Sequence, residues 1–394
     1  MLDKFAKFLD EKLSTPMARL AEQRHLRAVR DGIIATLPLI IVGSFFLIVA
    51  FPPLPQGWAI TEYLSSNATT ILLPYRMTMF IMSLYISFGI GYSLSKSYNL
   101  DPISGAILAA MGFLLTIVPT DSLEIPMAPL GAGGMFVAIV TGIISVEILR
   151  LTTRSGFRIK MPEQVPASVA RSFEALTPTA IVILTIGSLS YFLNFDWHGI
   201  IETAVDPIVA AGDTLPSVIL LVILITFFWS FGIHGLSVIG SLARPVWLRI
   251  LDANTAAQAA GEELPGIAAE PFYQWFIWIG GAGATIGLAL LLFFRSRSEY
   301  SKNLGKAAIL PGIFNINEPL IFGAPIVLNP MLIIPFIIAP LANAIIAWTA
   351  TSLGMVNAVT VTAPWTLPGP IGAYLATNGD WRAIILSLIL IVLS

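Results

Sequence analysis

LPGIFNINEPLIFGAPIVLNP, residues 310–330, is the stretch that decides how this sequence folds. It is apolar overall, yet prolines and glycines interrupt it so often that no helix longer than about two turns fits. Non-helical backbone at membrane depth is tolerated only where protein buries it or where it lines an aqueous cavity. Broken helices commonly surround the substrate of transporters. The stretch therefore predicts a re-entrant hairpin near residues 310–330.

A second interrupted stretch, VTAPWTLPGPIGAYLATN at residues 361–378, has the same character. Loops at a protein surface seldom contain Ile, Phe and Leu at the density of these two stretches. We therefore predict a second re-entrant hairpin near residues 361–378. The alternative is that both stretches are apolar loops outside the membrane.

The composition of the whole chain is that of a membrane protein. Of its 394 residues, 56% are hydrophobic and 11% are charged, and the mean hydropathy is +0.84, whereas soluble domains contain about 25% charged residues. The charge is nearly balanced at -2, which argues against nucleic acid as a partner. With no cysteine and three scattered histidines, we predict no metal site and no cofactor.

The apolar runs predict an all-α, polytopic protein with about ten transmembrane helices. A run of about 20 residues crosses the hydrocarbon core, and nine regions approach that length. They lie near residues 33–51, 77–95, 102–119, 134–150, 173–193, 217–240, 272–294, 331–350 and 383–394.

Lys and Arg residues predict the orientation, because they are enriched in cytoplasmic loops. Seven of the 21 fall between Lys4 and Arg30, so residues 1–31 are predicted to form a cytoplasmic amphipathic segment. Basic residues on both sides of residues 240–271 break the alternation of inside and outside loops. An extra crossing or a re-entrant piece in 240–271 would restore it, and the sequence leaves both open.

Glu318 is the ionisable residue that most strongly indicates a working site. It stands between Asn317 and Pro319, and the proline disfavours a helical conformation at the residue before it. A charge at the bilayer centre costs roughly 2.5–3.5 kcal/mol on insertion scales, so such a residue usually faces a cavity. A carboxylate and a neighbouring amide suit the hydroxyl groups of a sugar. The alternative is a glutamate at a loop tip in water.

His234 is the only histidine at predicted membrane depth, within the sequence WSFGIHG. On an ideal helix Trp229 and His234 would point about 140° apart, but Gly232 weakens the helix and allows both to face one cavity. The alternative is a histidine that serves only in packing.

Two tryptophans and one arginine complete the candidate site. Trp229 and Trp365 each offer a flat indole on which a sugar face can stack. Arg76 enters the second apolar run, where it either binds substrate or extends its charge to the membrane interface.

The motif Asn317-Glu318-Pro319-Leu-Ile-Phe-Gly323 resembles the enzyme IIC permeases of the phosphoenolpyruvate-dependent sugar phosphotransferase system, in the lactose/cellobiose/diacetylchitobiose branch. Residues 161–178, 229–235 and 363–366 are similar to the same family in the same order. The resemblance covers nearly the whole chain.

The resemblance implies a homodimer in the bacterial cytoplasmic membrane. Residues 32–194 would form the N-terminal domain with the dimer interface, and residues 195–394 would form the transport domain, which moves as an elevator. It further implies uptake of a disaccharide with phosphorylation of its 6-hydroxyl, the phosphoryl group coming from a phosphocysteine on a separate IIB protein, with IIA upstream. The chain would then be the permease subunit of a sugar phosphotransferase.

Transferred by motif, the family's site residues imply distinct roles. Glu318 would bind the accepting hydroxyl and take its proton, and His234 would line the same site. The sugar would be held by Asn317, Trp229 and Trp365. Gly232 and Arg76 are further candidate contacts that are not transferred from the family. The rival hypothesis is a proton-coupled secondary transporter that leaves the sugar unmodified. A membrane hydrolase lacks support, because we find no Ser-His-Asp set and no HExxH motif.

Overall fold

The computed structural model describes residues 23–52, 58–119, 122, 124–159, 161–162, 164–324, 326–327, 329–365 and 367–394. Within these residues the regular structure is helical and contains no strand, which confirms the predicted all-α class. The predicted amphipathic segment 1–31 lies outside the described residues as far as residue 22. From Arg24 onward it is the start of the first helix.

The chain forms two compact units. The first unit comprises Glu22–Gly43 and Pro74–Ile208, and the second unit includes Ser44–Leu73 and Val209–Ser394. The predicted roles of residues 32–194 as the dimer interface and of residues 195–394 as the transport domain stay predictions.

The helices up to residue 212 begin with one long helix and continue with several short ones. In order they are α1 (Arg24–Ala50), α2 (Ala59–Ser66), α3 (Ala68–Ile71), α4 (Leu73–Arg76), α5 (Met82–Ser97), α6 (Pro102–Leu114), α7 (Met135–Ser155), α8 (Ala167–Glu174), α9 (Leu176–Val182), α10 (Ser188–Tyr191) and α11 (Trp197–Gly212). Single 3₁₀ turns at Met79–Ile81, Ala128–Leu130 and Ala132–Gly134 and a π turn at Ile183–Gly187 lie among them.

The helices after residue 212 alternate between long and short segments. In order they are α12 (Leu215–Trp229), α13 (Gly235–Ala260), α14 (Glu270–Phe272), α15 (Ile286–Arg295), α16 (Glu299–Ile313), α17 (Glu318–Gly323), α18 (Pro330–Ser352), α19 (Gly369–Ala376) and α20 (Trp381–Leu393). A π turn at Tyr273–Ile277 follows α14.

Four helical stretches among the described residues are long and apolar enough to cross a membrane. They are Leu73–Ser97, Ala132–Ser155, Val169–Tyr191 and Met331–Ser352. Helices α11 and α12 pass the same test only as a pair, and they are bent by 82°. Each of the four stretches coincides with a predicted span, whereas the predicted count of about ten stays a prediction.

Two predicted straight spans are wrong. The run 217–240 ends as a helix at Trp229, and α13 starts only at Gly235. The run 272–294 consists of the π turn, an irregular glycine-rich segment and α15. Hydropathy remains high through both breaks, so it does not register the glycines that interrupt the helices. Both stretches predicted as hairpins are interrupted as expected.

Small residues allow helices of the first unit to pack closely. Ser87 is fully buried in α5, and its hydroxyl donates to the Ala109 carbonyl in α6 at 2.9 Å. A Cβ added to Gly91 would lie 2.6 Å from Ala109 Cβ, so only glycine permits this distance. Close contacts between small residues are typical of helix pairs in membranes.

Long-range polar contacts join the irregular segments of the second unit. Arg244 is 7% exposed, and its Nε donates to both carboxylate oxygens of Glu270 at 2.9 and 3.1 Å. Asn254 is fully buried. Its Nδ2 donates to the carbonyls of Gly266 and Val359 at 2.7 and 2.9 Å. The two Asn254 bonds satisfy backbone carbonyls that no regular structure pairs, as buried polar groups require.

Candidate functional site

Six of the seven predicted site residues lie in the second unit, at two helix breaks and one loop. The break between α12 and α13 contains Trp229, Gly232 and His234, and the break between α16 and α17 contains Asn317 and Glu318. Trp365 lies in the loop before α19. The remaining residue, Arg76, ends α4 in the first unit and is exposed. Its predicted role in binding stays a prediction.

The break at residues 229–235 is closed by local backbone bonds. The Gly232 N–H donates to the Trp229 carbonyl at 2.9 Å, and the Ile233 N–H donates to the Phe228 carbonyl at 3.2 Å. Gly232 has a φ of +73°, a left-handed conformation that glycine adopts without steric cost. Such a glycine is a common helix terminator, since it lets the last carbonyls find donors.

His234 caps the N-terminus of α13 with its ring. Its Nδ1 accepts the backbone N–H of Ser237 at 3.2 Å and lies 3.1 Å from the Ser237 hydroxyl. Because a backbone N–H can only donate, the neutral imidazole has its proton on Nε2. The ring is exposed, so Nε2–H can donate a hydrogen bond to a substrate.

Trp229 contacts His234 directly. The two ring centroids are 4.5 Å apart, with the ring planes tilted by 47°, so the break brings together the two side chains that a continuous helix would separate. Trp229 is 4% exposed, and its buried Nε1–H has no hydrogen-bond partner among the residues that the structure describes. Its indole therefore has little face left for a sugar in this structure, and its visible contact is with the imidazole.

The break at residues 314–318 ends α16 and starts α17 within four residues. The Ile316 N–H donates to the Pro311 carbonyl at 3.0 Å, and Asn315 has a φ of 61°. Glu318 is the first residue of α17, with Pro319 behind it, so the predicted break lies directly before the carboxylate. The Glu318 side chain is exposed. It is therefore accessible to a ligand hydroxyl.

Asn317 is buried and points away from the position that a helix cap would take. Its Nδ2 donates to the Ala282 carbonyl at 2.5 Å and to the Thr285 hydroxyl at 3.1 Å. A Cβ added to Gly281 would lie 2.6 Å from Asn317 Oδ1, so glycine is required there. Both amide protons are engaged and the residue is 3% exposed, so Asn317 supports the glycine-rich turn in this conformation. Its predicted contact with a sugar stays a prediction.

Sequence reasoning missed the glycine-rich turn at residues 278–285. Four of its residues have positive φ values, at Gly280, Gly281, Gly283 and Ala284. The run WIGGAGAT is the signal that could have identified it, because several glycines inside an apolar run mark a break.

Asn315 was missed as well, although it joins this turn to the Trp365 loop. Its Oδ1 accepts the Gly280 N–H at 3.1 Å, and its Nδ2 donates to the carbonyls of Trp365 and Leu367 at 2.9 and 3.0 Å. Trp365 itself is 49% exposed, which leaves its indole accessible for stacking. The spacing Asn-Ile-Asn-Glu was the only local signal.

The first break faces the segment that follows α17, since a Cβ added to Gly232 would lie 3.5 Å from Val327 Cγ1. Helix α12 also packs along α18. Among the described residues, no three His, Asp or Glu side chains gather in a way that could hold a metal ion.

Comparison with known proteins gives one consistent result. The family model described as phosphotransferase system, EIIC, matches residues 30–340. The chain is 38% identical to the cellobiose-specific EIIC component of Geobacillus stearothermophilus, over 98% of this chain and 91% of that protein. It is 37% identical to the lichenan permease IIC component of Bacillus subtilis (strain 168), over 100% of this chain and 92% of that protein.

A solved structure shares the fold. The crystal structure of the transporter ChbC, the IIC component from the N,N'-diacetylchitobiose-specific phosphotransferase system, aligns with a TM-score of 0.92. The two sequences are 35% identical, and the alignment covers 98% of this chain and 94% of that chain.

Proposed function

The chain belongs to the EIIC family of the phosphotransferase system, and from this premise we propose that it imports a disaccharide that is phosphorylated on its 6-hydroxyl during uptake. The family makes it a sugar permease of the cellobiose, chitobiose and lactose class. The observation that carries the finer proposal is the exposed carboxylate of Glu318, presented where a helix break ends. We propose that the exposed His234 at the other break faces the same sugar.

Glu318 and His234 supply complementary hydrogen-bonding groups. The Glu318 carboxylate accepts a proton from the sugar's 6-hydroxyl, and the His234 Nε2–H donates to a sugar oxygen. Because Nδ1 of His234 is engaged by the Ser237 N–H, the imidazole orients the sugar and Glu318 is the general base. A base must lie within hydrogen-bond reach of the proton that it removes.

The phosphoryl transfer conserves atoms and charge as follows. The 6-hydroxyl oxygen attacks the phosphorus of a phosphocysteine on IIB, the phosphorus–sulfur bond breaks, and the thiolate leaves. The hydroxyl proton moves to Glu318. This chain contains no cysteine, so the donor belongs to the IIB protein, which IIA would recharge. Catalysis of such transfers depends mostly on positioning and electrostatics.

Trp365 completes the proposed sugar site. Its indole is about half exposed, and a flat aromatic face packs well against the apolar face of a pyranose. We assign the stacking role to Trp365 and the support of His234 to Trp229. The disaccharide would be of the cellobiose, diacetylchitobiose or lactose class.

The wider arrangement follows the same premise. We propose that the protein is a homodimer in the bacterial cytoplasmic membrane, with its N-terminus in the cytoplasm and an elevator motion of the transport domain. The excess of Lys and Arg between Lys4 and Arg30 supports this orientation, since basic segments stay on the cytoplasmic side.

The proposal is tested in membrane vesicles that contain the chain and are loaded with phosphorylated IIB. Radiolabelled cellobiose should accumulate as the 6-phosphate, only when phospho-IIB is present, and a protonophore should not reduce the uptake. Vesicles loaded with unphosphorylated IIB are the control. Accumulation of free sugar that collapses with the proton gradient would contradict the proposal and favour a secondary transporter.

A further inference from the structure

We propose that Asn315 is a positioning residue that fixes the Trp365 loop and the glycine-rich turn against the Glu318 break. This inference rests on the proposed function, since it concerns how the sugar site is assembled. Asn315 does not itself contact the sugar. It acts through its hydrogen bond to the backbone of Trp365, which is proposed to contact it.

The side chain of Asn315 satisfies backbone groups from two distant segments. Its amide donates to the carbonyls of Trp365 and Leu367, and its carbonyl oxygen accepts the Gly280 N–H. These partners lie 50, 52 and 35 residues away in sequence. The two donors and one acceptor are the set that an asparagine side chain can provide.

No regular structure could take over these bonds. The turn around Gly280 has a chain of positive φ values, and residues 361–368 form neither helix nor strand where the structure describes them. Backbone groups that are left unpaired where water is excluded destabilise a fold. The asparagine side chain therefore replaces a backbone ladder that these conformations prevent.

The neighbouring Asn317 anchors the other end of the same turn. It donates to the Ala282 carbonyl and to the Thr285 hydroxyl, whereas Asn315 binds at Gly280. The turn is thus held on both sides of its centre by two asparagines, which lie one and three residues before Glu318. The Trp365 loop joins this assembly only through Asn315 among the side-chain hydrogen bonds described.

The consequence concerns the geometry between the stacking surface and the carboxylate. Trp365 and Glu318 can hold one sugar only if their separation is fixed before the sugar binds, since ordering a loop on binding reduces affinity. Removing the Asn315 side chain should leave the chemistry of Glu318 intact. It should weaken sugar binding, because the Trp365 loop is then free to move.

The test replaces Asn315 with glycine, which tolerates the φ of 61° and lacks all three hydrogen bonds. We expect the dissociation constant for cellobiose, measured by calorimetry on the purified protein, to rise roughly tenfold or more. Asn378→Gly is the matched control, because Asn378 also has a positive φ, of 52°, and belongs to no part of the site. It should bind cellobiose as the wild type does.

A second readout reports on the loop itself. The chain has no cysteine, so Leu367→Cys introduces a single thiol beside Trp365. In the wild-type background cellobiose should slow its reaction with a maleimide, and in the Asn315→Gly background the reaction should be faster and no longer protected. Asn315→Asp, which retains the acceptor for Gly280 and loses both donors, should give the same labelling if the glycine variant does not fold.

The outcomes separate this inference from the proposed function. If the wild type binds no disaccharide, the proposed function fails. If the wild type binds cellobiose and Asn315→Gly binds it equally well with unchanged labelling of the thiol, the positioning role of Asn315 is wrong. Weaker binding with faster labelling and a wild-type response in Asn378→Gly supports it.

Discussion

The break at residues 229–235 is closed by hydrogen bonds between residues at most five positions apart, whereas the break at residues 314–318 is also tied to partners up to 52 residues away. The contacts described within the first break involve a glycine turn, a histidine cap and a contact between two rings. In the second, two asparagines connect the break to a turn and to a loop. Each break presents one exposed polar side chain, His234 or Glu318.

The difference indicates what each break can do. The hydrogen bonds described for the first break are local, and the cap on the Ser237 N–H orients the His234 ring against the start of α13. The second break is hydrogen-bonded to two distant segments through Asn315 and Asn317. Glu318 and the backbone at Trp365 should therefore move together. Such coupling suits a site in which the distance between the base, Glu318, and the stacking surface, Trp365, must be fixed around the sugar.

The largest effect is expected from a comparison of Gly232, in the first break, with Gly281, in the glycine-rich turn that Asn317 anchors. Gly281→Ala should destabilise the protein by about 3 kcal/mol or more, because its φ of +96° is strained for alanine and the new methyl group would overlap Asn317. Gly232→Ala should cost only about 1–2 kcal/mol, since it adds strain at a φ of +73° but meets Val327 at an ordinary 3.5 Å.

Thermal unfolding of the two purified variants measures this difference. Sugar affinity should fall further in Gly281→Ala than in Gly232→Ala, because the first change displaces Asn317. Equal stability and equal affinity of the two variants would show that the turn anchored by Asn317 constrains the site no more than the first break does.

A second prediction concerns the two functions of His234. His234→Ala should lose the N-cap of α13, at about 1 kcal/mol, and should also bind cellobiose at least tenfold more weakly. His234→Asn should keep the cap, since asparagine caps helices well, and should show the same loss of affinity. Calorimetry and thermal unfolding separate the two effects. Wild-type affinity in His234→Asn would remove Nε2–H from the sugar site.

How much of this could be predicted from the sequence depends on where the partners of each group lie. Pro319 interrupts a helix through its own backbone, so the second break was predicted from the local sequence. Gly232 was predicted to weaken its helix, but the run 217–240 was still predicted as one span. Asn315 and the turn at residues 278–285 were not, since their meaning depends on carbonyls and N–H groups 35 to 52 residues away. The prediction of a straight span over 272–294 was wrong because hydropathy contains no information on backbone conformation.

The role of Trp229 shows a similar limit. An indole in an apolar run predicts either stacking on a sugar or packing, and the sequence does not distinguish them. In the structure its ring lies 4.5 Å from His234 and is almost wholly buried. The helix break decides the outcome, because it turns both rings to the same side.

The smallest effect on transport is expected for Asp380→Asn. Asp380 lies outside both breaks and makes hydrogen bonds to Asn357 and Arg382. Its carboxylate accepts the Asn357 N–H at 2.8 Å and the Arg382 Nε at 2.8 Å. Burial disfavours the charged form, but the hydrogen bonds from Arg382 and from the Asn357 and Arg382 backbones outweigh it and hold the pKa of Asp380 below its usual value. Asp380→Asn should leave cellobiose affinity unchanged.

The difference in stability between the wild type and Asp380→Asn should depend on pH. Because the folded-state pKa is lower than the unfolded value of about 3.9, the ionised carboxylate stabilises the fold above that pH, and this contribution is lost as the pH falls through the folded-state pKa. Asp380→Asn should therefore melt at a lower temperature than the wild type at pH 7, with the gap narrowing below about pH 4. A gap that is constant with pH would contradict the assignment.

We propose that Glu318 receives the 6-hydroxyl of the sugar, and phosphoryl transfer from phospho-IIB to labelled cellobiose in vesicles that contain Glu318→Gln tests this role. The rate of phosphorylation should fall by about 10²–10⁴-fold, with the protein folded and still able to bind the disaccharide. Glu299→Gln, a change at an 83% exposed side chain on α16, should retain the wild-type rate. Phosphorylation by Glu318→Gln at the wild-type rate would contradict the claim.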